Sequence, residues 1–239
     1  IELAALRMWA SDPRQRWVPD GRTHAFDFEG YRVEVSVQDE AAKVDLNAAD
    51  AALFERLMIA LGIDADRARQ LAGAIQDWRD TDTLVVAGGG AEDRDYAAAG
   101  LPYGARDAPF ATVQELQQVL GMDLDIYRRL APHVTVFAAQ PRPLPEFAQS
   151  QVLAALGLSP ADVQAWLEQR AAWQPGDPLP PAPSAAGLAG MGSGTYSVAS
   201  RAIRPDGSLV EVTATVRMGA GAGLGRLYGP LAWRVGEPD

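Results

Sequence analysis

The chain predicts an α+β fold in which a small antiparallel sheet is divided between the two ends of the sequence and a large all-α insertion separates the halves. Three observations predict it. Apolar and polar residues alternate between about residues 22 and 38 and again after residue 195. Helical periodicity with helix-ending glycines fills the region between. A Pro- and Gly-rich stretch at 176–194 can form neither helix nor central strand and marks the return. A sheet split in this way pairs only if the central segment leaves and re-enters at neighbouring points. The expected division is therefore 1–44 for the first part of the sheet domain, 45–175 for the insertion, 176–194 for the linker and 195–239 for the closing strands.

Residues 1–10 have helical spacing, with Leu3, Leu6 and Trp9 on one face and Ile1, Ala5 and Met8 on another. No capping residue precedes them, as expected of the stub of a longer helix. Leu3, Leu6 and Trp9 are the expected contact face for a partner helix. Phe26 and Phe28, then Tyr31, Val33, Val35 and Val37, place apolar side chains on one face of a hairpin whose turn is Glu29-Gly30, with Arg32, Glu34 and Ser36 opposite. Strand character then vanishes until Thr195. Tyr196 and Val198 open a strand that runs to a turn at Pro205, Asp206 and Gly207; residues 209–216 return, and 231–235 supply a third strand.

Inside the insertion one pattern recurs at residues 60–64, 119–123 and 155–159, where a Leu-Gly pair closes one amphipathic helix and Asp64, Asp123 or Ser159 caps the next. Pro160 suits the first turn that follows. Thr112 and Glu115 have the spacing of a capping box, predicting a helix that turns Val113, Leu116, Val119 and Leu120 inward. The spacing between the three units is uneven, which excludes a solenoid.

Composition narrows the function. The formal net charge is -10, and Lys43 is the one lysine, so the surface repels phosphate backbones and anionic lipid. Cysteine is absent, which excludes disulfides, thiolate zinc sites and cysteine nucleophiles. No run of eighteen apolar residues predicts a membrane-spanning helix. His24, placed in a loop, and His133 read as surface or packing residues, no serine has a G-x-S-x-G setting, and the glycine tracts at 88–90 and 219–225 lack the lysine and hydroxyl of a phosphate loop. The expectation is a protein that is not an enzyme. Helix hairpins with glycine turns also occur in nucleic-acid-binding proteins, and a helix-hairpin-helix nucleic-acid-binding module is the alternative. Asp64 and Asp66 beside the first hairpin turn argue against it.

The acidic stretch 77–95 stands out. Asp77, Asp80, Asp82, Glu92, Asp93 and Asp95 cannot crowd together without protonating, spreading into water or binding a cation. A hard divalent ion takes six to eight oxygen ligands, and Gly88, Gly89 and Gly90 would let the chain fold tightly enough to supply them. Ca2+ is the expected ion, against the alternative of a solvated acidic loop. Trp78, between Asp77 and Asp80, is expected to pin the loop to the helical core.

These pieces together resemble the protein K family of type II secretion minor pseudopilins. The likeness lies in Asn47 with Asp50 at the opening of the insertion, residues 77–82, Gly90 to Asp93 with Tyr96, Pro102 and Tyr103, residues 110–116, Gly121 and Met122, and the closing residues 231–234. The resemblance implies a pilin-like domain interrupted by an α-domain, and a non-enzymatic subunit at the tip of a periplasmic pseudopilus, bound to minor pseudopilins I and J. It implies placement at the periplasmic face of the bacterial inner membrane, through an anchoring helix outside this sequence. It also implies Ca2+ in the α-domain, with Asp80, Asp82, Glu92 and Asp93 at the matching positions and Asp77 and Asp95 as further candidates.

Overall fold

The structure is a computed structural model that describes residues 1–174, 176–177, 193–219 and 227–236. In chain order the elements are α1 (Glu2–Met8), β1 (Asp20–Phe28), β2 (Tyr31–Asp39), β3 (Val44–Asp45), α2 (Ala51–Ala60), α3 (Ala65–Arg79), α4 (Asp93–Ala98), α5 (Leu124–Leu130), β4 (Val134–Thr135), α6 (Ser150–Ala155), α7 (Pro160–Ala172), β5 (Thr195–Ile203), β6 (Leu209–Met218) and β7 (Tyr228–Gly236). They form two compact units. One comprises Ile1–Ala42, Glu146–Ala148 and Trp166–Asp239, the other Lys43–Pro145 and Gln149–Ala165.

The first unit holds an antiparallel sheet of order β1-β2-β5-β6-β7, so strands from the two ends of the chain pair directly, β2 with β5. The two-residue turn from β1 to β2 places Glu29 at φ 49° and Gly30 at φ 83°, the left-handed pair that matches strand twist. Val37 pairs with Val198 and Val198 with Ala214, an apolar row across three strands. Val35, Val37, Tyr196, Val198, Ala214, Val216 and Met218 form the core with Ala4 and Ala5 of α1. Burial fades toward the hairpin tip: Phe28 is 59% and Tyr31 37% exposed, although both keep the expected alternation.

Two expectations change here. His24 lies within β1 rather than in a loop, opposite Val35, and its ring stacks on Trp17 with centroids 4.1 Å apart. The aromatic face substitutes for the apolar side chain the strand pattern lacks at that position. The third closing strand is longer than residues 231–235, and Pro230 sits where the β6–β7 register shifts between Thr215 and Val216, an irregularity that tolerates a missing amide.

The second unit adds a two-stranded parallel ladder, β3 with β4, too short to register as periodicity. Its helix hairpins form as the sequence predicts: Gly62, Gly121 and Gly157 have φ of 78°, 84° and 98°. Asp64 accepts from the amides of Asp66 and Arg67, Asp123 from Ile126, and Ser159 from Asp162. The helix expected after Thr112 is a 3-10 helix, Val113–Gln118, with Leu116 and Val119 buried and Leu120 only half-buried. Val113, Leu116 and Val119 are spaced by three, and three residues per turn keep them on one face.

The second unit ends at Ala165, whereas the insertion was expected to continue to 175. From Trp166 onward α7 packs in the first unit, where Arg170 pairs with Asp20 at 3.4 Å and donates to the carbonyls of Glu146 and Ala148. Residue 175 at the end of the expected insertion and residues 178–192 of the expected linker lie outside the described residues, as do 220–225 of the second glycine tract.

Candidate metal centre

The last turn of α3 sets the site. Arg79 donates to the carbonyl oxygens of Leu46 and Ala49, and the indole of Trp78 packs on Tyr96 and Phe110 with centroids 5.9 and 6.2 Å away. Trp78 is 3% exposed, in keeping with the structural role its position suggests. Phe110 is itself fixed by Asn47, whose side-chain amide donates to the Phe110 carbonyl at 2.9 Å and accepts from its amide at 2.7 Å. Tyr96 accepts from the amide of Leu120 at 3.0 Å. The helix end is thereby held from several directions before the acidic loop begins.

The loop then turns back over α3. A Cβ at Gly73 would lie 1.8 Å from the carbonyl oxygen of Gly89, and one at Gly89 would lie 2.6 Å from the Cα of Gln70, so backbone meets backbone here. Asp77, fully buried, accepts from the amide of Ala91 at 2.8 Å and of Val86 at 3.2 Å. Glu92 caps α4, and Asp95 accepts from the Glu92 amide at 3.0 Å.

This path brings Asp80, Asp82 and Glu92 together, with one carboxylate oxygen from each lying within 4.8 Å of the others. Asp77, Asp93 and Asp95 stand outside that group. Asp77 and Asp95 are engaged by loop amides, and the carboxylate of Asp93 lies against Gly104. Among the described residues, the buried Asp80 Oδ1 and Glu92 Oε1 have no hydrogen-bond partner. Burial, followed by the charges of Asp77, Asp80, Asp107 and Asp82, pushes Glu92 up to about 7. Burial likewise pushes Asp77 up to about 6, and raises Asp80, with Asp82 adding to the effect. An all-oxygen donor set under mutual repulsion, with two buried oxygens unsatisfied, fits a hard cation and not a thiophilic one.

Asp107 belongs to this neighbourhood and was not among the residues the sequence singled out. Its charge acts on both Asp80 and Glu92, and it takes the left-handed conformation, φ 53°. It lies outside the 77–95 stretch, and no local spacing signals it. Gly73 and Gly104 were missed for a similar reason, since nothing in a helix or loop pattern tells which glycine another backbone will touch.

Residues 34–142 match the family model for type II secretion system (T2SS) protein K, a span holding Asn47, residues 77–95 and Phe110. Over 137 residues, 52% of this chain, the sequence is 33% identical to a type II secretion system protein K of Klebsiella pneumoniae. Residues 34–142 are thus similar to type II secretion system protein K. Another protein K, from Pectobacterium carotovorum subsp. carotovorum, is 42% identical over 84 residues, 35% of this chain. The aligned segments cover 25% of the Pectobacterium relative and 41% of the Klebsiella one, so the chain spans less than half the length of these curated relatives. A solved structure of the GspK-GspI-GspJ complex from enterotoxigenic Escherichia coli shares the fold. It superposes with a TM-score of 0.63 over 99% of this chain and 93% of that one, at 19% identity. The α+β architecture with a helical insert is thus the protein K fold, and the helix-hairpin nucleic-acid alternative finds no support. Among the described residues no helix is long and apolar enough to cross a membrane.

Proposed function

We propose that this chain is a non-enzymatic minor pseudopilin that caps a type II secretion pseudopilus at the periplasmic face of the inner membrane, together with two other minor pseudopilins of the I and J kinds. The observation that carries this reading is the likeness, over 99% of the chain, to a protein K whose structure was solved in complex with GspI and GspJ. A surface suited to such assembly is present: Leu3, Leu6 and Trp9 of α1 are 36%, 53% and 55% exposed, while Ala4 and Ala5 on the same short helix are buried against the sheet. One face of α1 anchors it and the other is left for a neighbouring helix. Mixing the chain with candidate I and J pseudopilins and separating by size exclusion tests the reading. Co-elution as one complex is expected; three separate monomers would overturn it.

The acidic loop is assigned a structural Ca2+ within the same reading, held by the carboxylates of Asp80, Asp82 and Glu92. The cation would supply positive charge to a locus where several carboxylates repel one another, and so tie the loop to the end of α3. Ca2+ that binds only the folded protein raises its stability by about 2.7 kcal/mol at a hundredfold excess over Kd. Melting in Ca2+ should therefore occur several degrees above melting in chelator. Coincident midpoints would remove the site.

A further inference from the structure

We infer that Asp77 and the Gly73–Gly89 backbone contact position the Ca2+ carboxylates without touching the ion, and so set the affinity of the site. The inference rests on the Ca2+ reading above. Asp77 is wholly buried, and its carboxylate accepts from the amides of Val86 and Ala91, the residue next to Glu92. The loop is thus hung on α3 at one point just before Glu92. Gly73, one turn earlier on α3, supplies the second point: it has no Cβ, and Gly89 lies where that atom would be. A third close approach joins them, because a Cβ on Gly90 would meet Asp77 Oδ2 at 2.3 Å. Helix α3 is therefore the template, and Glu92 reaches Asp80 and Asp82 only when residues 86–91 lie flat on it. A site whose donors are held in place before the ion arrives loses less ordering entropy on binding than one whose loop must first be gathered.

Isothermal titration of the whole chain with Ca2+ tests this, using Asp77→Asn and Gly73→Ala, with Gly89→Ala as a second backbone variant and Leu57→Ala, at a fully buried position of α2, as a control for general destabilisation. Asn presents an NH2 where the second carboxylate oxygen accepted, and alanine at 73 forces the Gly89 backbone off a helix that otherwise favours alanine. Expected is at least a tenfold weaker Kd in Asp77→Asn and in both glycine variants that retain wild-type helical circular dichroism, with one-site stoichiometry kept. Leu57→Ala, far below its own melting point, should bind as the wild type does, so that weakened binding cannot be ascribed to lost stability alone. Wild-type affinity in the glycine variants would overturn the inference, as would loss of stoichiometry in Asp77→Asn alone, which would make Asp77 a ligand. Absence of Ca2+ binding by the wild type would instead remove the Ca2+ reading itself.

Discussion

The sheet of the first unit and the acidic loop of the second reach order by opposite means. In the sheet, Val35, Val37, Val198, Ala214 and Val216 are at most 3% exposed and pack as apolar rows, so each residue contributes burial that depends little on its neighbours' charge. In the loop between Asp80 and Glu92, Leu84 is 75% exposed, and the loop is shaped by backbone amides meeting Asp77 and by glycines meeting backbone. The sheet should therefore respond to changes in volume, and the loop to changes in charge, protonation and cation.

The largest expected break of that contrast comes from Trp78, the apolar exception at the base of the loop. Trp78→Ala should cost about 3–5 kcal/mol in denaturant unfolding, because it empties the space between Tyr96 and Phe110. Val37→Ala in the sheet should cost about 2 kcal/mol, two methyl groups and a small cavity, and should leave the Ca2+-dependent rise in melting temperature unchanged. A Val37→Ala variant that lost Ca2+ response would break the proposed independence of the two regions.

Protonation should act mainly on the loop. Glu92 is raised from 4.5 to about 7 and Asp77 from 3.8 to about 6, so the folded state holds these protons more tightly than the unfolded chain does. Their contribution to stability is complete below the unfolded values and is lost as pH rises through the folded ones. In chelator, the melting temperature should fall between about pH 4.5 and 7 relative to a Glu92→Gln variant, which should show a flatter profile. With Ca2+ present the fall should be offset, since the cation replaces the protons. Asp39, in the sheet unit, is also raised by burial, but it accepts from both the amide and the hydroxyl of Ser193 and should not change with Ca2+.

The smallest effect on stability is expected at α1. Leu6→Glu replaces a residue that is 53% exposed and should shift unfolding by less than about 0.5 kcal/mol. The same variant should abolish co-elution with candidate I and J pseudopilins, and retained co-elution would exclude this face of α1 from the assembly surface.

The sequence shows the elements whose cause is local. Alternation marks β2 and the turn at Glu29 and Gly30, because a two-residue loop with both φ positive has few chemical solutions. The glycines at 62, 121 and 157 and their caps mark the helix hairpins for the same reason. The carboxylates at 80, 82 and 92 are visible as an acidic cluster, and the structure adds that these three converge while Asp77, Asp93 and Asp95 stand apart. Other features have causes that lie far off in the chain. The 3-10 geometry of residues 113–118 follows from which side chains find the core, the strand setting of His24 from the stack on Trp17, and the short β3–β4 ladder from two segments about ninety residues apart.

By itself, the sequence determined the class of fold and the interrupted sheet and marked the acidic loop, since periodicity, turn chemistry and charge are properties of neighbouring residues. Only tertiary structure decided that Asp77 serves the loop backbone, that Gly73 makes room for Gly89 and that Asp107 joins the acidic locus. Hydrogen bonding, close backbone approach and charge repulsion act through space, and their partners are fixed only once the chain has folded.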